Sequence, residues 1–151
     1  MSSPQLTVTA YLTDTVAAAG THFSIVLDAK PSKGIHVYAP GVTSYTPIGL
    51  AVQPTPGLVV RDATFPASEP YVFKPLNERV PVYQRPFRIV QDLMIDPTPQ
   101  GAAALKDQTA LTIQGTLSYQ ACDAAVCFTP QTVPLTWTIA LRQLDRERAP
   151  K

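Results

Sequence analysis

Charge is scarce in this sequence. Only 15% of its 151 residues are charged, and 12 Lys and Arg against 11 Asp and Glu leave a net charge of +1. Such a balance gives no electrostatic footprint for nucleic acid or an anionic membrane. There are 7 glycines, and they form no glycine-rich phosphate loop. No run of about 18 apolar residues exists, so no membrane-spanning helix is expected. Histidine is confined to His22 and His36 and cysteine to Cys122 and Cys127, with no metal-ligand spacing among them. Ser118 and the distant histidines offer no nucleophile–base arrangement. Internal repeats and low-complexity tracts are also missing.

What the chain does have is proline, 16 residues of it, and 45% hydrophobic residues. Proline breaks helix interiors and central strands, which points to many short strands joined by proline-bearing loops. Period-2 patterns bear this out. Leu6, Val8, Ala10 and Leu12 alternate with polar neighbours, as do Phe23, Ile25, Leu27 and Ala29. Ile35–Tyr38 reads as a short strand after the Pro31–Gly34 turn. His36 and Tyr38 share one parity there, and pattern alone gives them a solvated or half-buried face. Residues 48–53 and 58–61 flank a Pro54–Gly57 turn as a hairpin or corner. The stretch from Ala63 to Gln84 has prolines among aromatics and reads as a long irregular loop, extended again at Val80–Tyr83. Phe87–Met94 alternates, and Asp96–Gln108 is a linker with one helical turn at Ala102–Leu105. Leu111–Tyr119 and Thr132–Leu141 are the clearest strands, with Trp137 on the core parity.

These elements predict an all-β, immunoglobulin-like sandwich. Residues 1–5 are expected to be a disordered N-terminal segment, 6–141 the domain, and 142–151 a charged tail or linker. The polar start, Met1-Ser-Ser-Pro-Gln5, lacks an apolar leader core. It fits either a cytosolic protein or a mature region without its signal peptide, and the proline and β content favour the exported one.

The chain is organised around its cysteines. Cys122 and Cys127 lie between the two clearest strands, where an antiparallel pair would set them facing each other at the turn. Three meanings are open. A structural staple is common in exported β-domains, yet so short a loop would gain only about 2 kcal/mol from closure. A metal or copper site using His36 lacks further ligands. A redox-active disulfide is the third. Asp123 adjoins Cys122 and no Lys or Arg lies in the loop, so a thiolate there has no activating neighbour in sequence.

Tyr119-Gln-Ala-Cys-Asp-Ala-Ala-Val-Cys-Phe-Thr-Pro130 resembles the active-site hairpin of the N-terminal periplasmic domain of DsbD, the transmembrane thiol:disulfide interchange protein. Gly34-Ile-His-Val-Tyr38, Val80-Pro-Val-Tyr83 and Val133-Pro-Leu135 follow the family's order, so the resemblance covers roughly residues 6–141. It implies a sandwich with an active-site hairpin near its C-terminal end and no cofactor. Its disulfide would receive electrons from a thioredoxin-like domain and pass them to oxidised periplasmic thioredoxin-fold proteins. By motif position Cys127 attacks and Cys122 resolves, with His36, Tyr38, Asp123 and Phe128 flanking the site. Glu69, Tyr71 and Phe73 fall in the family's cap loop. The chain departs from the pattern in three places. It has one residue fewer between its cysteines, His36 replaces an aromatic, and the acidic cap signature is reduced to Glu69. With no transmembrane section in this stretch, the resemblance implies an excised domain or a relative fused to, or working with, another redox domain. The competing reading is a non-catalytic immunoglobulin-like interaction module with a structural disulfide.

Overall fold

The computed structural model describes residues 2–143. Its strands are β1 (Leu6–Leu12), β2 (Val16–Ala17), β3 (His22–Pro31), β4 (His36–Tyr38), β5 (Gly49–Val52), β6 (Leu58–Thr64), β7 (Glu69–Phe73), β8 (Glu78–Tyr83), β9 (Phe87–Ile95), β10 (Ala110–Tyr119), β11 (Ala121–Cys122) and β12 (Gln131–Leu141). One short helix, α1 (Pro99–Ala104), precedes β10.

Two four-stranded sheets form the sandwich, in the orders β1-β3-β9-β6 and β2-β12-β10-β5. Their facing sides follow directly from period-2 patterning. Phe23, Ile25 and Leu27 of β3 and Ile89, Leu93 and Ile95 of β9 pack in one core with Leu111, Ile113, Leu117 and Tyr119 of β10. Trp137 and Ile139 of β12 join the same core, and Ile113 pairs directly with Trp137 across the ladder. A third, smaller sheet runs β11-β4-β8-β7 and holds a separate buried cluster of Tyr38, Val82 and Cys122.

The structure corrects several expectations. Of the hairpin or corner expected at residues 48–61 the structure forms the corner, because β5 pairs with β10 while β6 pairs with β9. The supposed irregular loop is largely regular. β6 runs on to Thr64, and β7 and β8 pair antiparallel from Glu69↔Val82 to Phe73↔Glu78. Proline lacks the N–H that ladders use, so the run around Pro70 reads as loop, whereas the extended reading of Val80–Tyr83 holds within β8. Pro70 and Pro81 sit directly opposite each other, and the pairs between them and the turn carry the ladder. Asn77 closes that turn with φ of 52°, a left-handed conformation that asparagine tolerates better than most residues.

The helical turn lies a little earlier than expected. Thr98 caps it by accepting from the Gly101 amide, and a proline stands in its first turn. Residues 2–5, expected as a separate segment, make contacts with the domain. The Ser3 amide donates to the Leu6 carbonyl and the Ser32 amide to the Gln5 carbonyl, and the Ser3 hydroxyl meets the Tyr119 hydroxyl at 3.2 Å. The expected charged tail lies outside the described residues beyond Gln143.

Ile113 is fully buried at the middle of the core. Ile113→Ala is therefore expected to destabilise the domain by about 2–5 kcal/mol, measurable as a lowered midpoint in urea with an unchanged slope.

Candidate functional site

The cysteines do not close the β10–β12 ladder. That ladder ends at Tyr119↔Gln131, and the chain between leaves it to pair with β4, Ala121 against Val37 and Cys122 against His36. Cys127 then folds back onto Cys122 as an isolated bridge. The Phe128 amide donates to the Ala121 carbonyl at 2.8 Å. The disulfide thus clips a miniature hairpin inside a longer connection, with the Cα atoms 4.0 Å apart. Its two ends differ sharply: Cys122 is 1% exposed, whereas Cys127 lies at the surface.

Asp123 makes the tight turn. Its Oδ1 accepts from the amides of Ala125 and Val126, each at 2.7 Å. The Val126 amide, then that of Ala125, hold its carboxyl below the ordinary value, and His36 adds a smaller pull. Gln120 ties the loop to its surroundings. Its Oε1 accepts from the Thr46 amide at 3.1 Å, and its Nε2 donates to the Phe128 carbonyl at 3.2 Å.

Strand β4 is buried along its whole length, contrary to the solvated face its pattern indicated. Val37 belongs to the main core and Tyr38 to the smaller cluster. The Tyr38 hydroxyl lies 3.2 Å from Cys122 Sγ and 3.4 Å from Cys127 Sγ. Burial, reinforced by the nearby Tyr45, Glu78 and Tyr71, pushes the Tyr38 phenol up to about 12, so it is a neutral hydroxyl at any ordinary pH. The ring of Tyr38 stacks on Tyr45 with centroids 4.3 Å apart and an interplanar angle of 4°. Tyr45 in turn donates to Glu78 Oε1 at 2.8 Å. Burial lowers the His36 pKa, with Asp123 opposing weakly, so the imidazole is neutral at pH 7. Tyr71 covers it with ring centroids 3.9 Å apart.

Of the residues expected at the site, His36, Tyr38, Tyr71, Phe73, Cys122, Asp123 and Cys127 line one cleft. Phe128 lies behind the loop against the main core. Glu69 is not among the cleft's lining residues; it pairs with Arg85 at 3.0 Å, at the end of the β7–β8 hairpin away from its turn. Tyr45, Glu78 and Gln120 are site residues that sequence reasoning missed. Tyr45 comes from an aperiodic segment, and only the Asn77 turn signal could have drawn attention to Glu78. Among the described residues no group of three or more His, Cys, Asp or Glu is placed to hold a metal.

Asp123→Ala should remove the acceptor for both turn amides. Hydrogen exchange at Ala125 and Val126 is expected to accelerate in that variant, and less so in Asp123→Asn, which keeps an oxygen. Because the folded carboxyl is lowered, its contribution is full above the ordinary value near 3.8 and is lost as pH falls through the folded value. Asp123→Ala should show no such acid-side loss at this turn.

The family model for the N-terminal region of thiol:disulfide interchange protein DsbD matches residues 6–137. Comparison with curated proteins gives no match. Among solved structures, the reduced N-terminal domain of DsbD from Neisseria meningitidis superposes with a TM-score of 0.52 at 15% identity, covering 88% of this chain and 89% of that one. The N-terminal periplasmic domain of ScsB from Proteus mirabilis gives 0.53 at 14% identity, covering 88% of this chain and 47% of that one. At these identities the two structures speak for the shared immunoglobulin-like fold. With the family match running from β1 into β12 and across the Cys122–Cys127 disulfide, this chain belongs to the DsbD N-terminal domain family of thiol:disulfide interchange proteins.

Proposed function

We propose that the chain is a periplasmic thiol:disulfide exchange domain that takes electrons from a thioredoxin-like domain and reduces the disulfides of thioredoxin-fold partners. In a full-length protein the supply would come by way of a transmembrane electron-transfer domain. The observation that carries this reading is the asymmetry of the disulfide, Cys127 being an exposed residue and Cys122 a buried one beside the Tyr38 hydroxyl. The likeness to a periplasmic domain of ScsB supports the location.

The chemistry follows from access. Exchange requires in-line approach of one sulfur to another, and Cys127 is the sulfur a partner can reach. In the reduced domain the Cys127 thiolate attacks the partner disulfide and releases one partner thiolate, leaving a mixed disulfide. Cys122 then attacks Cys127 Sγ, reforming the internal bond and releasing the second partner thiolate. Two electrons pass to the partner. A thioredoxin-like dithiol restores them by the same steps in reverse. No cation lies in the cysteine loop, so the thiols are quiet until docking changes their surroundings. The β7–β8 hairpin acts as the cap, with Tyr71 and Phe73 on the cleft side, while the Glu69–Arg85 pair holds its far end.

Two outcomes test this. A redox titration should place the Cys122–Cys127 bond above about −300 mV, the region below which structural disulfides fall. With an oxidised thioredoxin-fold partner, Cys122→Ala should accumulate mixed disulfide, detected by mass spectrometry after alkylation, and Cys127→Ala should give none. A lower potential, or equal transfer by the Cys127→Ala variant, would leave the pair a structural staple in an interaction module. If the hairpin is the cap, Tyr71→Ala removes an aromatic stack worth about 0.5–1.5 kcal/mol. Reduction by a small dithiol should then quicken by about two- to tenfold.

A further inference from the structure

Among the described residues, one side chain is hydrogen-bonded to the disulfide. The Tyr38 hydroxyl lies 3.2 Å from Cys122 Sγ and 3.4 Å from Cys127 Sγ. Joined to each other, the two sulfurs carry no hydrogen, so the hydroxyl is the donor and its proton points at them. A disulfide sulfur is a weak acceptor, whereas a thiolate would accept the same bond with a full charge. Nothing else around Cys122 meets that charge. The sulfur's buried cluster holds Val82, with Val42, Tyr45, Tyr71 and Val80 packed against it. Tyr38 is also held in place. Its strand pairs with β8 on one edge and β11 on the other, and its ring lies flat on that of Tyr45. The other titratable groups lining the cleft have different contacts. Asp123 accepts from the turn amides, and Glu78 accepts from Tyr45. Tyr71 lies over His36, which meets the Tyr38 ring edge-on at 5.7 Å.

We propose that Tyr38 is a catalytic residue whose hydroxyl donates to the Cys122 thiolate each time the Cys122–Cys127 bond opens or closes. The inference rests on the exchange reading above. During reduction of the domain, a thiolate of the incoming dithiol attacks Cys127 Sγ, and its electron pair forms the new S–S bond. The Cys122–Cys127 bond breaks, and its pair stays on Cys122 as a thiolate. Cys127 is then uncharged, bonded to the incoming sulfur, so the hydroxyl proton turns to Cys122. Resolution of a mixed disulfide runs the other way. The Cys122 thiol gives its proton to the buffer, the thiolate attacks Cys127 Sγ, and the partner sulfur departs with its own pair. Tyr38 keeps its proton throughout, its phenol being neutral at ordinary pH. Burial favours the neutral Cys122 thiol, and the phenol offsets part of that preference. The bond is weak while the sulfurs are joined and strong once Cys122 is charged, so it favours the transition state over the ground state. Because the donor already stands in place, little reorganisation accompanies the charge. Cys127 needs no such partner, since it is exposed and water can solvate it.

The reduced domain, mixed with 5,5′-dithiobis(2-nitrobenzoate), separates the two sulfur steps. A first equivalent of chromophore reports attack by Cys127, and a second reports resolution by Cys122. Tyr38→Phe removes the hydroxyl and keeps the ring on Tyr45. Loss of a hydrogen bond to a charged group moves an ionisation by about one to two pH units. The pH profile of the second phase should therefore have its midpoint that much higher in the variant. A thiolate of higher pKa is also the better nucleophile, by about half of the shift on a logarithmic scale. At pH 7 the second phase should then slow about three- to tenfold, while the first stays within about twofold. Replacing Tyr38 by 3-fluorotyrosine makes the hydroxyl a stronger donor and should move the midpoint the opposite way. An unchanged midpoint, equal slowing of both phases, or shifts of the same sign in the two variants would overturn the role of Tyr38. Release of no second equivalent by the natural protein would overturn the exchange reading itself.

Discussion

Strand β4 is three residues long and buried on both sides, and the site depends on that. Val37 anchors it to the sandwich core, while Tyr38 enters a second apolar cluster and His36 packs against the Tyr71 ring. A strand so short would not hold its place by its own ladder. It is held because β8 pairs along one edge and β11 along the other. The disulfide, the tyrosine hydroxyl and the β7–β8 hairpin are therefore positioned against one element whose own position is set by the main core.

The electrostatics of the site run opposite to those of a free-standing thiol catalyst. Reactive cysteines are commonly activated by a neighbouring cation or a helix N-terminus. Here the charges near the sulfurs are carboxylates, one occupied in a turn and the other accepting from the Tyr45 hydroxyl, and His36 is neutral at pH 7. Cys122 sits among aromatic rings with only a neutral phenol for company. Such surroundings favour thiol over thiolate. On the function proposed above, a pair built this way would hold its electrons until another protein lowers the cost of giving them up.

Much of the fold was legible because period-2 alternation and burial are the same fact seen twice. β1, β3, β9, β10 and β12 each bury one parity, and Trp137 falls on the core side as its parity required. Legibility failed where the backbone departs from that rule. β4 is too short to show a period and is buried on both faces. The β7–β8 hairpin is disguised by prolines that happen to oppose each other. The cysteines were readable as a pair and, through resemblance, as a redox pair, but the pairing of Ala121 and Cys122 with β4 was not, since two residues carry no register signal. Tyr45 and Glu78 come together across 33 positions of chain, and nothing in either local sequence announces the other.

The β10–β12 ladder is complete at Tyr119↔Gln131 before the cysteine loop begins, and this bears on how such domains tolerate insertions. A strand pair whose register depended on the disulfide would turn every side chain of β12 to the wrong face if the loop changed by one residue. Here the register is set beneath the loop by ten paired positions, with Gln120 as a polar strut at its base. The segment between the cysteines can therefore lengthen or shorten by single residues while the sandwich stays as it is. Loop length becomes a variable that can be tuned for a particular partner without any change in the core.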